Sequence, residues 1–251
     1  MNKNLNKYGL FAFQIFSYIC FIYSLSILNL NHYLISFLVY FIIFGLGIVI
    51  GYHRLLSHKS FKTSYEKILS ILGCLAFQGS PLVWVCLHRE HHAYTDTKKD
   101  PHSPVNGFWK SFFTSSISET NPRLIRDMLK NKFHLFLYKY YFVLMSVYIL
   151  LMSLLGIEMF LTLCVIPICF SWIGVNLVNS VCHSYGYKNY KIKNESTNNT
   201  IVALLTFGEG YHNNHHHQPS NYNFAKKWFE FDLSALIIKC LSISPNPSKG
   251  L

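Results

Sequence analysis

The sequence is short of charge. Only 13% of its 251 residues are Asp, Glu, Lys or Arg, against roughly 25% in an average soluble domain. Acidic residues are the scarcest, 11 against 22 basic ones. From Tyr8 to Tyr52 there is no charged residue, and from Tyr141 to Tyr187 the only one is Glu158. No basic stripe interleaved with aromatics runs through a polar segment, so the net charge of +11 does not describe a nucleic-acid binder. The seven cysteines include no C-x-x-C pair and lie mostly in apolar stretches, where a thiol behaves as a small hydrophobe. They read as reduced and structural. An H-E-x-x-H metalloprotease motif is missing, as are internal repeats and any low-complexity tail.

What the chain does have is hydrophobicity: 51% of residues are apolar and 17% aromatic, gathered in two long blocks. The first divides into spans near 10–28 and 33–52 at the polar Asn29–His32, the second into spans near 140–155 and 159–178 at Gly156–Glu158. Each approaches the roughly 20 residues that cross a bilayer as a helix. A cleaved signal peptide does not fit the first span, which is too long, lacks a small-residue cleavage site and is followed at once by another. The expected fold is therefore an all-α integral membrane protein, a single domain over 1–251, with four transmembrane helices in two hairpins and a cytosolic helical cap that carries a histidine-rich site. The N-terminus, the central segment and the C-terminal segment then share one side, and all 22 Lys and Arg fall there. The positive-inside rule makes that side the cytosol, of a bacterial inner membrane or the endoplasmic reticulum. Shorter apolar runs at Ile68–Phe77 and Ile201–Phe207 are expected at the interface, with Phe224–Ser242 as a terminal amphipathic segment. Asn194 and Asn198 match the glycosylation pattern but are expected to be cytosolic and unmodified.

Thirteen histidines are the unusual number, and most are clustered. His53-Arg-Leu-Leu-Ser-His58, His88-Arg-Glu-His-His92 and His212-Asn-Asn-His-His-His217 all fall at the cytosolic ends of apolar segments. Positions i, i+3 and i+4 of the second cluster share a helical face, and the third starts with the same spacing. His53 and His58 diverge on an ideal helix, so one is expected to end the second span and the other to lie in the following turn. Asn179-Ser-Val-Cys-His183 closes the last span with Asn and His at i, i+4. Lone histidines are usually ordinary core or surface residues, and His32, His102 and His134 are read so, as is His217, which falls outside its cluster's spacing. Eight histidines in repeated spacings point instead to metal ligation. Imidazole suits iron, copper, nickel and zinc. A closed zinc site needs four ligands; nine candidates suit two metals with positions left open.

At this point the residues resemble the three histidine boxes of the membrane fatty acid desaturases. Gln78-Gly-Ser-Pro81, Trp84, Thr95-Asp-Thr97, Asp100-Pro-His102, Gly107-Phe-Trp109 and Gly208-Glu-Gly-Tyr-His212 resemble the delta-9, stearoyl-type branch. The similarity runs from about Gly45 to about Leu236. It implies two iron ions held by His53, His58, His88, His91, His92, His183, His212, His215 and His216, with Asn179 acting through a metal-bound water. It implies a bent substrate tunnel shaped by Trp84 and Gln78, and closed at its far end by the stretch of the second span that carries Phe41 and Gly45. Two positions depart from the animal acyl-CoA enzymes: Cys86 and Leu87 stand where those have a basic-acidic pair, and Asn176 stands where they have a tryptophan. The metal site is untouched by either departure.

The implied activity is insertion of a cis double bond, delta-9 by the resemblance, into a long saturated acyl chain on CoA or lipid. Dioxygen is the co-substrate, and two electrons come from a separate protein of ferredoxin or cytochrome b5 type, because no such segment is recognisable here. Glu209 and Asp96 are candidates to orient imidazoles through their second nitrogen. Two readings compete. A lipid hydroxylase shares the boxes, and a membrane metal-ion transporter is the alternative from another class. A transporter places ionisable ligands near the midplane of its spans, whereas these clusters sit at the ends.

Overall fold

The computed structural model describes residues 3–114 and 121–245. These are mostly helical; the only strands among them are the two-residue pair β1 (Phe61–Lys62) and β2 (Ser244–Pro245). In chain order the helices are α1 (Lys3–Ser24), α2 (Leu30–Ser57), α3 (Glu66–Leu75), α4 (Pro81–Tyr94) and α5 (Phe108–Thr114). Then follow α6 (Lys132–Ser153), α7 (Ile157–His183), α8 (Thr200–Leu205), α9 (His212–His217) and α10 (Leu233–Leu241).

Three of these, α2, α6 and α7, are long and apolar enough to cross a membrane. The apolar part of α1, Tyr8–Ser24, is shorter than the expected 10–28. The reason lies at the boundary. Asn29 is the N-cap of α2, its side chain accepting from the Asn31 and His32 amides, so the chain must turn between Ser24 and Asn29. Asn131 caps α6 in the same way, bonding the Phe133 and His134 amides. The third span therefore begins at Lys132, ahead of the expected 140. Gly156, with φ of +84°, makes the tight turn between α6 and α7.

From Phe41 to Ser57, α2 is wound as a π-helix, and its i→i+5 ladder ends with the His58 amide donating to the His53 carbonyl at 3.2 Å. Helix α3 lies against this stretch almost without side chains between: a Cβ on Gly47 would stand 2.3 Å from the Gly73 nitrogen. Helices α3 and α4 form a short hairpin whose bend, Ala76–Ser80, is buried. The outer faces carry exposed Ile19, Ile22, Leu34, Leu38, Val143, Val147, Leu150 and Leu151, more apolar surface than water tolerates and suited to lipid. His32 and Glu158 stand 3.9 Å apart, which puts the α1–α2 and α6–α7 turns at one end of the bundle.

Candidate metal centre

Four pieces of backbone converge at the other end of the bundle. The close of α2 brings His53 and His58, α4 brings His88, His91 and His92, the last turn of α7 brings His183, and α9 brings His212, His215 and His216. The π winding presents His53 and His58 together, their rings 4.9 Å apart. Nine side chains form two groups, His53, His58, His88, His92 and His215 in one and His91, His183, His212 and His216 in the other. Within each group the ligand atoms lie within 4.8 Å of one another.

The nitrogens face each other in a way that protons cannot satisfy. The Nε2 atoms of His58 and His88 are 2.7 Å apart, and that of His215 faces those of both His53 and His92, at 3.1 and 2.9 Å. In the second group His216 Nε2 faces His212 at 3.0 Å and His91 at 3.2 Å, while the buried His183 Nε2 has no protein partner. Two neutral imidazoles share at most one proton, so rings converging on one point are suited to a cation there. Burial, and then the neighbouring imidazoles, push His58, His88, His92, His212, His215 and His216 well below the usual histidine range. Both effects favour the neutral ring, the form that ligates.

The second nitrogens are held by carboxylates. His53 Nδ1 is bonded to Glu209, His183 Nδ1 to Asp96 at 3.1 Å and His91 Nδ1 to Asp100 at 2.9 Å. Such bonds place the proton on Nδ1 and leave Nε2 free. Burial alone would raise Asp96, but its bonds from His183, the Glu195 amide and Ser103 hold it down at about 2. Glu209 and Asp96 each contact an imidazole Nδ1, and Asp100, which the sequence marks only within Asp100-Pro-His102, does the same. The buried Arg54 has a role that no sequence spacing marks: its guanidinium binds Glu209 at 2.9 Å, Asp232 at 2.9 Å and the Tyr222 carbonyl at 2.7 Å beneath the Phe224 ring. Arg89 donates to the carbonyls of Leu56, Ser57 and Leu124 and pairs with Asp127, tying the end of α2 to α4. The two asparagines of the third box fasten α9. Asn213 bonds Tyr190 and Ser196, and Asn214 bonds the Phe224 carbonyl and Glu230. Asn198, one of the glycosylation matches, is fully buried and receives the Asn213 and Asn214 amides, so it is closed to modification.

Beside the histidines run two narrow adjoining hollows that share Trp84, His88, Val175 and Asn179. Trp84 stacks on His88 at 5.1 Å and donates to Gln78, which in turn donates to Ser171. Gln78 lines the first hollow, with Leu87 and Trp172, and Phe44 and Ile48 line the second. Phe41 and Gly45 line neither: a Cβ on Gly45 would stand 2.8 Å from the Phe41 ring, which packs on Phe207. Cys86 is buried and bonds the Asn121 carbonyl, and Asn176 donates to Tyr18. Among the histidines read as ordinary, His32 belongs to a helix cap, His134 stands 3.4 Å from Glu66 and His217 stacks on Tyr190. His102 is different, lining the hollow 5.9 Å from the His91 ring.

The fatty acid desaturase family model matches residues 29–231. This chain belongs to the fatty acid desaturase family. It is 37% identical over 217 residues to the sn-1 stearoyl-lipid 9-desaturase of Anabaena variabilis, covering 83% of this chain and 80% of that protein. The Synechocystis sp. protein of the same name is 37% identical over 220 residues, 83% of this chain and 68% of its own. Delta-9 acyl-lipid desaturase 2 of Arabidopsis thaliana is 35% identical over 228 residues, 83% and 71%. The desaturase is accordingly an oxidoreductase that acts on fatty acyl chains, and its two histidine groups are fitted to metal.

Proposed function

We propose that the protein inserts a cis delta-9 double bond into a saturated acyl chain carried on a membrane lipid, at a di-iron centre held by the nine histidines and Asn179. The two histidine groups, both of which line the hollow that holds Phe44 and Ile48, are the observation that carries this reading. The acyl-lipid names of the relatives favour a lipid carrier, as do Cys86 and Leu87, which offer a CoA nucleotide no charge. Asn179 lines the hollow with His91 and His212 and completes the four-histidine group through a water.

Iron supplies activation of dioxygen for attack on an unactivated C–H bond. The protein's own residues supply position. Trp84, fixed by Gln78 on one side and His88 on the other, bends the chain so that two adjacent methylenes lie beside the histidines. Phe44, Ile48, Val175 and Val178 keep water out. Asp96, Asp100 and Glu209 hold the protons of His183, His91 and His53 away from the metal side. Overall, two hydrogens leave the chain, and dioxygen with two electrons and two protons becomes two waters. The electrons come from a separate protein docking on the histidine-bearing side, which is cytosolic, with α1, α2, α6 and α7 as the four spans. Expression in cells that lack endogenous desaturation tests this. A new monoene with its double bond at carbon nine is expected, with two irons per purified chain; a hydroxylated product, or a single exchangeable ion and no product, overturns it.

A further inference from the structure

A separate hollow of about 740 Å³ opens where the end of α2, β1 and the starts of α3 and α6 meet. That is the size of a ligand pocket, and it shares no lining residue with the two hollows beside the histidines. Leu55, Phe61 and Met128 give it apolar surface, and Lys62, Glu66 and His134 give it polar groups. His134 is the telling one. It is 2% exposed, and neither ring nitrogen has a hydrogen-bond partner among the described residues. Its Nε2 stands 3.4 Å from Glu66, out of alignment, while Glu66 accepts from the Asn131 amide at 3.3 Å. A buried polar group left unmet is costly, so this wall is fitted to a polar occupant. The level of the hollow narrows the choice. Lys62 at its edge is exposed, as are Lys67, Lys130 and Lys132, each next in sequence to Glu66 or Asn131. One turn further on, α3 exposes Ile68 and Ile71, and α6 exposes Leu135 and Phe136. The surface changes from basic to apolar at the hollow, the depth at which lipid headgroups lie. Of the acids there, Asp127 is already paired with Lys59 at 2.7 Å and Arg89 at 2.8 Å, which leaves cations in excess.

We propose that this hollow seats the headgroup of an anionic phospholipid from the leaflet on the histidine side, its phosphate against Lys62 and its headgroup hydroxyls on His134 and Glu66. A hydroxyl both donates and accepts, so it meets a neutral imidazole and a carboxylate alike. The acyl tails lie along the exposed apolar faces of α3 and α6. This lipid is a resident of the fold and not the chain that reacts, because its seat is separate from the hollows beside the histidines. Seated there, it braces α3 and α6 against Leu55 and Leu56, the part of α2 between His53 and His58. The inference rests on α2 and α6 as membrane spans and not on the reaction, so its test reads bound lipid and not product.

Dioctanoyl phosphatidylglycerol is titrated into the purified iron-loaded chain in detergent, followed by thermal melting and native mass spectrometry. A saturable rise in melting temperature is expected, with one lipid retained per chain, and weaker effects from dioctanoyl phosphatidylethanolamine and from glycerol phosphate. Lys62→Glu is expected to weaken phosphatidylglycerol by about tenfold or more, since it turns an attracting charge near a lipid surface into a repelling one. His134→Phe should weaken it too, whereas Lys98→Glu, the same charge change away from the hollow, should not; iron content stays native in all three. Equal stabilisation by the two phospholipids overturns the proposal, as do equal losses in Lys62→Glu and Lys98→Glu. Glycerol phosphate binding as tightly as the lipid rejects a lipid occupant. Should His134→Phe misfold, Lys62→Glu decides, because that side chain is exposed: unchanged affinity there rejects the seat.

Discussion

Arg54 is wholly enclosed, and its charge is balanced by Glu209 and Asp232 together. Removing one partner of a buried ion network leaves an uncompensated charge and costs about 3–5 kcal/mol. Arg54→Leu is therefore expected to lower the melting temperature in detergent and to strip metal from the His53 group, since Glu209 loses its anchor. Arg54→Lys restores less, because an ammonium lacks the planar fork that reaches both carboxylates. A leucine variant with native iron content and melting point would remove Arg54 from this role. Asp100 makes a sharper case. An amide in its place can donate to His91 Nδ1, which moves the ring proton to Nε2 and blocks ligation. Asp100→Asn is expected to weaken metal retention about 10–100-fold, read by chelator competition, while His134→Ala leaves it unchanged. Glu209 and Asp96 could be suspected from sequence because they sit beside motifs. Arg54 and Asp232 lie 178 positions apart, and no periodicity connects them.

Among the elements, the end of α2 was the least legible. Residues five apart point about 140° away from each other on an α-helix, and only a π ladder, uncommon and often found at functional sites, turns His53 and His58 to one place. Residue type and hydropathy carry no sign of that ladder. The seat of α3 is a matter of bare backbone, and Gly47→Val is expected to force α3 off α2, at an overpacking cost of about 1–3 kcal/mol or more. The α3–α4 bend carries Gln78, so the variant should lose product as well as stability; normal product with normal melting would show that the contact is slack. The clamp from α4 to the end of α2 depends on Asp127, half-exposed between Arg89 and Lys59. Burial would raise its carboxyl, but the two cations hold it below the usual carboxylate range. A depressed carboxylate stabilises above its unfolded value, near 4, and that stabilisation is lost as pH falls through its folded value. Asp127→Asn is expected to flatten the acid limb of the stability profile, followed by thermal unfolding from pH 6 downwards; an unchanged limb rejects the clamp.

At the scale of the whole molecule, hydropathy located the apolar blocks and histidine spacing located the site, but helix ends followed caps that hydropathy does not weigh. Asn29 and Asn131 decide where α2 and α6 begin, and the polar Asn29–His32 is the start of a helix and not merely a break. The structure puts the His32 and Glu158 turns at one end and the nine histidines at the other. Lys and Arg numbers then orient the whole: the turns Leu25–Asn29 and Leu154–Gly156 contain none, whereas the histidine end carries Arg54, Arg89, Lys98, Lys188 and Lys193. Moving several cations through a bilayer is prohibitive, and this asymmetry is what supports the proposed cytosolic placement of the histidine end. Single cysteines at Lys98 and Lys193, in a chain with its own cysteines replaced, are expected to react only with a membrane-permeant maleimide in intact cells. Cysteines at Asn31 and Glu158 should react with an impermeant one; Lys249, expected with the first pair, lies outside the described residues. The residue-193 reporter is the most telling, because the 184–199 connection joins α7 to α8 and holds Asn198 against the third box. Impermeant labelling there would place part of the metal site across the bilayer from the rest, and both the four-span topology and a cytosolic electron donor would fall with it.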